Sequence, residues 1–325
     1  MTARQIRFTA PGGPDVLMEE SVTLPKPAAG EVLVRQTAVG LNYLDVYHRS
    51  GMYPLPMPSG VGSEAAGVVE EVGSGVSVVS VGDRVVYAGG PPGSYASHRN
   101  VAAERLVAIP DGLTDELAAA VMLKGMTVEY LLNRCHTVTP GEFVLFHAAA
   151  GGVGLLAGQW GRHIGATMIG VAGGGDKCRV ARQHGYAEVI DRTSENVVER
   201  VKAITDGAGV SVVYDSVGKA TFDVSISCLA PRGLFVSFGT TTGPPPAVEA
   251  GVLQKLGSLY FTRPTLVTYT ASREELVASA TETFEMVTRG VVTVRIGERY
   301  ALADAARAHA DLEAGRTVGS SLLIP

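Results

Sequence analysis

The feature that most constrains the fold is an alternation of short apolar segments with helix-like segments between residues 142 and 238. The apolar segments are short, uninterrupted and rich in Val, Ile and Phe, which is typical of parallel strands buried on both faces. Helical crossovers between such strands cover both sides of the sheet. The sequence therefore predicts a doubly wound parallel sheet. Its strands are predicted at 143–148, 167–172, 188–191, 210–216 and 233–238, and its helices at 153–163, 177–184, 197–204 and 222–229.

A Gly-rich turn, Ala149-Ala150-Gly151-Gly152-Val153-Gly154, lies between the first of these strands and the first helix. Dinucleotide-binding proteins carry a G-x-G-x-x-G turn in this place, although Ala replaces the first glycine here. Gly151 lets the backbone approach a pyrophosphate, and Gly154 lets the helix pack closely on the strand. The helix N-terminus adds N–H groups and a positive dipole. The turn and its context predict a dinucleotide site.

The end of the second strand indicates which dinucleotide binds. An NAD site usually places Asp or Glu there to hold the ribose hydroxyls, whereas this strand ends in Gly173-Gly174-Gly175. Lys177 follows directly, and Arg192 comes at the end of the third strand, so two cations are available for a 2′-phosphate. If Asp176 rather than Gly173 ended the strand, the case for NADH would be stronger. The sequence favours NADPH.

The segments before and after this alternation have different sequence patterns. Residues 1–111 contain short Val-rich runs separated by Gly and Pro, which predicts an all-β compact barrel. Thr114 is a candidate cap for a helix that continues to about Leu132. After a strand at 258–262, we predict a helix at Arg273–Thr288, a β-like segment at Val291–Ile296 and a last helix near 303–312.

Length and composition add broad limits. A chain of 325 residues exceeds a usual single core, so two domains are expected. The net charge of −5 gives no overall basic field, so non-specific nucleic-acid binding is not favoured. No apolar run of about 18 residues or secretory signal is present, so we expect a cytoplasmic protein without a membrane span. Cys135, Cys178 and Cys228 are too scattered for a disulfide framework and are expected to be buried.

Six separated motifs resemble one known family, the zeta-crystallin-type NADPH:quinone oxidoreductases of the medium-chain dehydrogenase/reductase superfamily, especially its bacterial quinone oxidoreductases. The resemblance extends from one end of the chain to the other. The motifs are Gly40-Leu41-Asn42-Tyr43-Leu44-Asp45, residues 60–67 (GVGSEAAG), Leu123-Lys124-Gly125-Met126-Thr127, residues 147–154 (HAAAGGVG), Tyr214-Asp215-Ser216-Val217-Gly218 and Gly319-Ser320-Ser321-Leu322-Leu323.

The resemblance implies an α/β protein with a GroES-like β-barrel catalytic domain and a Rossmann doubly wound parallel-sheet cofactor domain. We expect the catalytic domain at 1–124, the NADPH-binding domain at 125–264 and a return to the catalytic domain at 265–325. The family binds substrate in a cleft next to the nicotinamide. Its members commonly form homodimers through an edge strand, for which Ser258–Arg263 is the candidate.

The resemblance also implies a set of cofactor contacts. Asn42, Tyr43 and Thr127 are expected near the nicotinamide, Gly151, Gly152 and Val153 at the pyrophosphate, and Gly173, Gly174 and Lys177 at the adenosine phosphate. Further cofactor-binding residues are expected in the same motifs and along the groove: Asp45, Lys124, Tyr130, Ser216, Phe238, Gly239, Phe261, Arg263 and Gly319. Arg192 departs from the family pattern, where an aromatic residue is common, and its phosphate contact is our own prediction.

No metal site is expected. The zinc-dependent members of the superfamily carry Cys and His where this chain has Asn42 and Ser63, and neither residue replaces a thiolate or imidazole as a zinc ligand. Without a Lewis acid, an electron-poor acceptor is the suitable substrate, because positioning and exclusion of water suffice for its reduction.

The sequence therefore predicts zinc-independent transfer of reducing equivalents from NADPH to a quinone, by one or two electrons at a time. Tyr47 and Tyr53 are candidates to contact the quinone, and Asn42 is a candidate to orient the nicotinamide; both tyrosines are also compatible with simple packing. One alternative is an NADPH-dependent enal or enone reductase, which needs an acid such as Tyr53 to protonate carbon. A further alternative is an RNA-binding or structural crystallin-like protein, against which the acidic charge argues.

Overall fold

The structure is a computed structural model that describes residues 1–325, and the chain divides into two compact units. The first unit comprises residues 1–126, 270–288 and 294–325, and the second comprises residues 127–269 and 289–293. The strands are β1 (Thr2–Phe8), β2 (Met18–Thr23), β3 (Glu31–Leu41), β4 (Ser59–Gly60), β5 (Glu64–Val72), β6 (Arg84–Ala88), β7 (His98–Ala102), β8 (Val107–Ala108), β9 (Phe143–His147), β10 (Thr167–Ala172), β11 (Glu188–Asp191), β12 (Val210–Asp215), β13 (Leu229–Ser237), β14 (Tyr260–Thr262), β15 (Ile296–Ala301) and β16 (Ser320–Ile324).

The helices are α1 (Tyr43–Ser50), α2 (Asp115–Glu129), α3 (Gly152–Ile164), α4 (Gly175–Gln183), α5 (Val197–Ile204), α6 (Phe222–Ser227), α7 (Ala250–Lys255), α8 (Leu266–Tyr269), α9 (Arg273–Thr288) and α10 (Ala305–Glu313). A π-helical turn, Tyr130–Cys135, continues α2, and short 3₁₀ turns occur at Pro14–Val16, Ala103–Arg105 and Leu302–Asp304. As predicted, the hydroxyl of Thr114 accepts a hydrogen bond from the Leu117 backbone N–H at the start of α2.

The first unit is built on a seven-stranded sheet of order β15-β16-β3-β5-β6-β8, with β7 also paired to β3, and on a three-stranded sheet of order β2-β1-β4. The long strand β3 pairs with β7 through Glu31–Arg35 and with β16 through Val39–Leu41. Register shifts between β3 and β5 bend the sheet. One apolar core joins both sheets, so the C-terminal tail completes the fold of the N-terminal segment.

The second unit is the doubly wound domain that the alternation predicts. Its six strands are parallel, in the order β11-β10-β9-β12-β13-β14. Leu145, Ile169 and Val213 at its centre are fully buried, because helices cover both faces of a parallel sheet. The strand order reverses between β9 and β12, and ligands of such folds bind beyond the carboxyl ends of the strands at that point.

Two local predictions were wrong. The N-terminal segment is not purely β, because α1 interrupts it between β3 and β4. The β-like segment at Val291–Ile296 is not a strand before Ile296, where β15 begins. Instead, the Gln159 side chain bonds both the N–H and the C=O of Thr293, at 2.9 and 3.1 Å, and thereby takes the place of a strand partner.

Other expectations concern the whole chain. No helix of the structure combines the length and apolar character that a membrane crossing requires. All three cysteines are free thiols; Cys178 and Cys228 are buried, whereas Cys135 is only half-buried, contrary to the expectation.

Candidate active site

The Gly-rich turn connects β9 to α3, and Gly151 precedes the first helical residue, Gly152. A Cβ atom on Gly154 would lie 2.4 Å from the carbonyl oxygen of Ala148, so only glycine allows α3 to pack this closely against the strand end. The Tyr186 hydroxyl donates a 2.7 Å hydrogen bond to the Gly154 carbonyl. The first backbone N–H groups of α3 are therefore held at the end of the sheet, where they can bind phosphate.

The second strand, β10, ends at Ala172 without a carboxylate. The Arg192 guanidinium lies over the next residue, with its Nη2 atom 3.1 Å from the position that a Cβ on Gly173 would occupy. Lys177 lies in the first turn of α4. Asp176 is exposed on the same helix and pairs with Arg179, so it does not end the strand. Exposed Arg192, the glycine and Lys177 fit a 2′-phosphate better than a bare ribose.

Sequence reasoning missed Asp191 as a support for this loop. One of its carboxylate oxygens accepts hydrogen bonds from the Gly174 N–H at 2.9 Å and from the N–H of Thr193 at 3.0 Å. These hydrogen bonds, led by that from the Thr193 hydroxyl, lower the pKa of Asp191 below its ordinary value. An Asp at the end of β11 was visible in the sequence, but nothing in the pattern indicated that it would cap the glycine loop after β10.

A buried chain of side chains holds the turn after β12. The Ser225 hydroxyl donates to Asp215 at 2.6 Å and lies 2.9 Å from Nε2 of His147. The other Asp215 oxygen accepts from the N–H groups of Val217 and Gly218 at 2.7 and 3.0 Å. Burial lowers the pKa of His147, so the ring is neutral. His147 thus has a structural hydrogen-bonding role in this chain of side chains, and the roles of Asp215 and Ser225 in it were not predicted from the sequence.

Four predicted groove residues meet at the carboxyl ends of β12 and β13. A Cβ on Gly239 would lie 2.6 Å from the Ser216 carbonyl oxygen, which shows how closely the two loops approach. The Arg263 guanidinium donates to the carbonyls of Ser237 and Gly239 at 3.0 and 3.1 Å and so fixes the loop that carries Phe238. The Phe238 ring packs on Phe146, with centroids 5.6 Å apart.

Two further predicted residues of the second unit have aromatic partners. The Tyr130 ring stacks on Tyr269 with a centroid distance of 4.5 Å and an interplanar angle of 11°. Burial raises the pKa of Tyr130, so its hydroxyl stays protonated. Phe261 stacks on Phe235 at 5.3 Å within the β13–β14 pair, where it packs against the sheet. Thr127 is buried.

In the first unit, three predicted or neighbouring residues converge on one buried carboxylate. Glu64 has no exposed surface, and its Oε1 accepts hydrogen bonds from Nδ2 of Asn42 at 2.8 Å and from Nζ of Lys124 at 2.9 Å. Its Oε2 accepts from the backbone N–H of Leu123 at 2.7 Å. A side chain on Gly40 would overlap with Glu64, so glycine at that position makes room for the carboxylate. Glu64 was not among the site residues predicted from the sequence, because nothing in its local pattern indicates that it accepts these hydrogen bonds.

A second buried carboxylate, Asp45, lies at the start of α1. It accepts hydrogen bonds from the Ser63 hydroxyl at 2.8 Å, the Asn42 backbone N–H at 2.9 Å and the Tyr95 hydroxyl at 3.0 Å. Burial raises the pKa of Asp45 to about 7, against the opposing effect of these hydrogen bonds. The side chain is fully buried with all its partners in the protein, which argues against the predicted contact of Asp45 with the cofactor.

The Tyr95 hydroxyl continues this network to His309, whose Nε2 lies 3.1 Å away. The His309 Nδ1 atom faces the Arg49 guanidinium at 3.3 Å, and because arginine is only a donor, Nδ1 must accept and Nε2 must carry the proton. Burial and the Arg49 cation lower the pKa of His309 to about 3. The ring is therefore neutral and donates to Tyr95.

The predicted acceptor-side tyrosines form one aromatic cluster. The centroids of Tyr43 and Tyr47 are 5.4 Å apart, and those of Tyr47 and Tyr53 are 5.2 Å apart. Tyr47 is buried, and Tyr53 is half-buried at the end of the same segment. Gly319, by contrast, adopts a positive φ of 77°, and a Cβ there would lie 2.5 Å from the Arg295 carbonyl oxygen, so its turn at the start of β16 explains the glycine without a cofactor.

The positions that bear metal ligands in zinc-dependent relatives are chemically different here. The Asn42 amide and the Ser63 hydroxyl each donate to a buried carboxylate, Glu64 and Asp45 respectively. No group of three or more His, Cys, Asp or Glu side chains in the chain is placed to hold a metal ion. The donor chemistry of this site does not fit zinc.

Comparison with known proteins places this geometry in a family. Residues 28–111 match the family model of the alcohol dehydrogenase GroES-like domain, and residues 152–285 match that of the zinc-binding dehydrogenases. The chain is 52% identical to a quinone oxidoreductase of Pseudomonas aeruginosa over 99% of its own length and 100% of that protein. The chain belongs to the quinone oxidoreductase family. Its predicted GroES-like and Rossmann fold class is thereby confirmed.

Two further members of this set of relatives are informative. The Escherichia coli quinone oxidoreductase, solved in complex with NADPH, is 47% identical to this chain. The two structures match over 100% of each chain with a TM-score of 0.97. A 2-haloacrylate reductase of Burkholderia sp is 42% identical over 97% of this chain and 96% of that protein. Proteins named quinone oxidoreductase and 2-haloacrylate reductase are therefore both similar to this chain over nearly its whole length.

Proposed function

We propose that this protein is a zinc-independent NADPH:quinone oxidoreductase. The observation that carries the proposal is that Asn42 and Ser63 are hydrogen-bond donors to buried carboxylates at the two positions where zinc-dependent relatives need metal ligands. An enzyme of this family without a Lewis acid is suited to acceptors that are already electron-poor, and quinones meet that condition. The relatives named quinone oxidoreductase, at 48% to 52% identity, support the same acceptor class.

NADPH is the reductant that fits the second unit. The N-terminal N–H groups of α3, after the turn at Gly151, are suited to the pyrophosphate, with Gly152 and Val153 as first contacts. Arg192 and Lys177 beside Gly173 supply positive charge for the 2′-phosphate. When bound, NADPH supplies the hydride or electrons for the reduction.

The other cofactor and acceptor contacts are proposals that the geometry supports to different degrees. Ser216, Phe238, Gly239 and Arg263 form one loop cluster beyond β12 and β13, which suits a groove for the rest of the dinucleotide. Tyr130 is rigid in its stack with Tyr269. In the first unit, Asn42 and the cluster of Tyr47 with Tyr53 present one fixed amide and two aromatic rings for an aromatic acceptor.

A second activity, reduction of a carbon–carbon double bond next to a carbonyl, is favoured by the similarity to the 2-haloacrylate reductase. That reaction needs a proton delivered to carbon after hydride transfer. Tyr53, which is half-buried at the rim of the tyrosine cluster, is the proton donor that we propose for it.

Steady-state NADPH oxidation, measured without oxygen on ortho-quinones, para-quinones, enals and enones, tests the two activities. We expect the largest kcat/KM with a quinone and a preference for NADPH over NADH. Higher kcat/KM with an enone than with every quinone would replace the first activity by the second. The double variant Tyr47→Phe/Tyr53→Phe separates their mechanisms, since loss of enone turnover with retained quinone turnover is expected only if a tyrosine donates a proton.

We also propose that the protein is a cytoplasmic homodimer. Three free thiols suit a reducing compartment. The outer edge of β14 has no strand partner, and Tyr260 on it is 63% exposed, with Val252 and Leu256 also exposed in the preceding segment. Sedimentation should therefore give a dimer that Tyr260→Lys weakens; a monomeric wild-type protein would exclude this arrangement.

A further inference from the structure

The ammonium group of Lys124 is unusual among the charged groups of the first unit. The side chain is 5% exposed, and its pair with Glu64 is surrounded by protein. Burying a carboxylate and an ammonium is costly, and such a pair contributes less to stability than apolar residues of similar size often do. A buried pair of this kind therefore calls for a functional explanation.

The hydrogen bonds of Lys124 are incomplete. An ammonium has three N–H donors and no acceptor. In this structure the group has a single acceptor, the Oε1 atom of Glu64 at 2.9 Å. Two N–H groups of this largely buried ammonium therefore have no acceptor within the chain and can donate to a bound ligand. A negatively charged oxygen is the strongest acceptor for them.

Glu64 itself is fully used. Its two oxygens accept hydrogen bonds from the Asn42 amide, the Lys124 ammonium and the Leu123 backbone N–H. These donors balance the negative charge of the carboxylate and fix its orientation. Since the Asn42 amide and the Lys124 ammonium bond to the same oxygen, their heads lie side by side. The carboxylate thus aligns two donor groups.

The segment that carries Lys124 is also fixed in place. A Cβ on the next residue, Gly125, would lie 2.2 Å from the Cγ2 atom of Thr283, which is buried in α9. Any side chain at Gly125 would push α2 away from α9 and move the lysine. Close packing thus fixes the backbone from which the Lys124 side chain extends, and the ion pair with Glu64 holds its ammonium group.

We propose that the Lys124 ammonium stabilises the negative charge that develops on the acceptor oxygen during reduction, and that Glu64 is its positioning residue. This inference rests on the proposed quinone reductase function. The hydride that bound NADPH would supply from its nicotinamide C4 bonds to one quinone oxygen, the ring electrons shift, and negative charge forms on the other quinone oxygen; a proton from water then neutralises that oxygen, so NADPH is oxidised to NADP⁺ and the quinone is reduced to the hydroquinone. A prearranged cation at that oxygen lowers the barrier without reorganising.

The same cation serves the alternative activity. Hydride addition to an enal or enone also places negative charge on a carbonyl oxygen. Lys124 therefore acts in the step that both reductions share, while Tyr53 concerns only the protonation of carbon.

The first experiment uses Lys124→Met, Lys124→Arg and, as a control, Lys26→Met at an exposed loop lysine. We expect kcat with quinones to fall about 100-fold in Lys124→Met, in line with the loss of one oxyanion donor. Lys124→Arg should retain part of the activity, and Lys26→Met should resemble the wild type.

The second experiment tests whether the Glu64–Lys124 pair only stabilises the fold. Lys124→Met leaves a buried, unpaired Glu64 and can impair folding, so the double variant Glu64→Gln/Lys124→Met removes both charges. If the pair only supports the fold, the double variant regains stability and activity together. We expect it to regain the melting temperature while kcat stays low; recovery of kcat would overturn the proposal.

The third experiment does not depend on turnover. The probe is 4-nitrophenol, whose anion is coloured and carries the charge on a phenolic oxygen, like a reduced quinone. We expect wild-type protein to lower the apparent pKa of the probe by about one unit, Lys124→Arg to retain the effect and Lys124→Met to abolish it. Equal pKa values in wild type and Lys124→Met, or no shift with the wild type, would overturn the proposal. Failure of the wild type to reduce any quinone would instead refute the proposed function, and the probe titration would still decide the role of Lys124.

Discussion

The Arg192 guanidinium lies directly against Gly173, with its Nη2 atom 3.1 Å from the site of a Cβ that the glycine lacks. Arg192, which follows β11, thereby places its positive charge at the end of β10. NAD-binding proteins have a carboxylate at this strand end. The contact between these two residues places a cation where the 2′-phosphate of NADPH would lie.

The first prediction concerns this cation. Arg192→Ala is expected to weaken NADPH binding about tenfold, which corresponds to about 1.4 kcal/mol for a charge-assisted contact, and to leave NADH binding unchanged. Arg179→Ala on the exposed face of α4 is the matched control, because its partner is Asp176. Dissociation constants for both nucleotides from fluorescence titration check the prediction, and an equal loss for NADPH and NADH would contradict it.

The second prediction concerns the Gly-rich turn. Gly154→Ala places a methyl group 2.4 Å from the Ala148 carbonyl oxygen, a backbone atom that cannot move aside cheaply. We expect a loss of about 1–3 kcal/mol in unfolding free energy, as for other overpacked sites, together with weaker NADPH binding. Gly251→Ala in α7 is the control, because nothing lies within 4 Å of its new Cβ. Urea unfolding of both variants measures the difference; equal stability would show that α3 can shift freely.

How far the sequence predicts this molecule depends on whether a signal is local. The strands at Thr167–Ala172 and Glu188–Asp191 and the helix at Val197–Ile204 were predicted to the residue, because apolar runs and punctuation define them locally. Helix α1 was missed although Asn42 and Asp45 have the spacing of a capped helix start, since the surrounding β pattern dominated.

The site shows the same limit. The Gly-rich turn and the strand end without an acidic residue are each formed by contiguous residues, so both could be predicted from the sequence. The joint bonding of Asn42 and Lys124 to Glu64, and of Ser63 and Tyr95 to Asp45, unites residues that are far apart in sequence. No periodicity encodes such a contact. The family resemblance placed Asp45 among the expected cofactor contacts, and in the structure its carboxylate is enclosed by protein.

The third prediction concerns two buried groups whose effects on the pH dependence of stability oppose each other. The pKa of His309 falls from 6.5 to about 3 on folding, so its stabilising contribution is complete above pH 6.5 and is lost as the pH falls toward 3. The pKa of Asp45 rises from 3.8 to about 7, so its contribution is complete below pH 3.8 and is lost as the pH rises toward 7.

Variants separate the two effects. We compare the unfolding free energy of His309→Gln with that of the wild type at each pH. The difference in favour of the variant should grow as the pH falls below 6.5, by up to about 1.4 kcal/mol per pH unit, because the variant has no histidine to protonate on unfolding. Asp45→Asn should improve relative to wild type as the pH rises from 4 toward 7. Chemical unfolding between pH 4 and 8 measures both slopes. Parallel curves for wild type and His309→Gln would mean that folding does not change the pKa of the histidine, which would contradict the prediction.

The last prediction concerns the fixing of α1 by α10. The Arg49 guanidinium is buried and makes a two-pronged ion pair with Glu313 at 2.7 and 2.8 Å, while its Nε atom donates to the Gly12 carbonyl at 3.1 Å. Glu313→Gln removes the counter-charge of the buried guanidinium and is expected to cost about 1–3 kcal/mol, less than for a fully buried pair because the Glu313 side chain is 31% exposed. Because α1 also carries Tyr43 and Tyr47, we expect a higher KM for quinones in addition to the lower stability.

The exposed pair of Arg316 with Asp311 is the control for this prediction, since both residues belong to the same C-terminal segment. Arg316→Met is expected to change the unfolding free energy by less than about 1 kcal/mol, because solvent already screens that pair, and to leave the KM unchanged. Guanidinium unfolding and quinone kinetics of the two variants give the comparison. If Glu313→Gln were no more harmful than Arg316→Met, the buried guanidinium would have to be held by Gly12 and the surrounding protein alone, and α1 would not depend on α10 for its position.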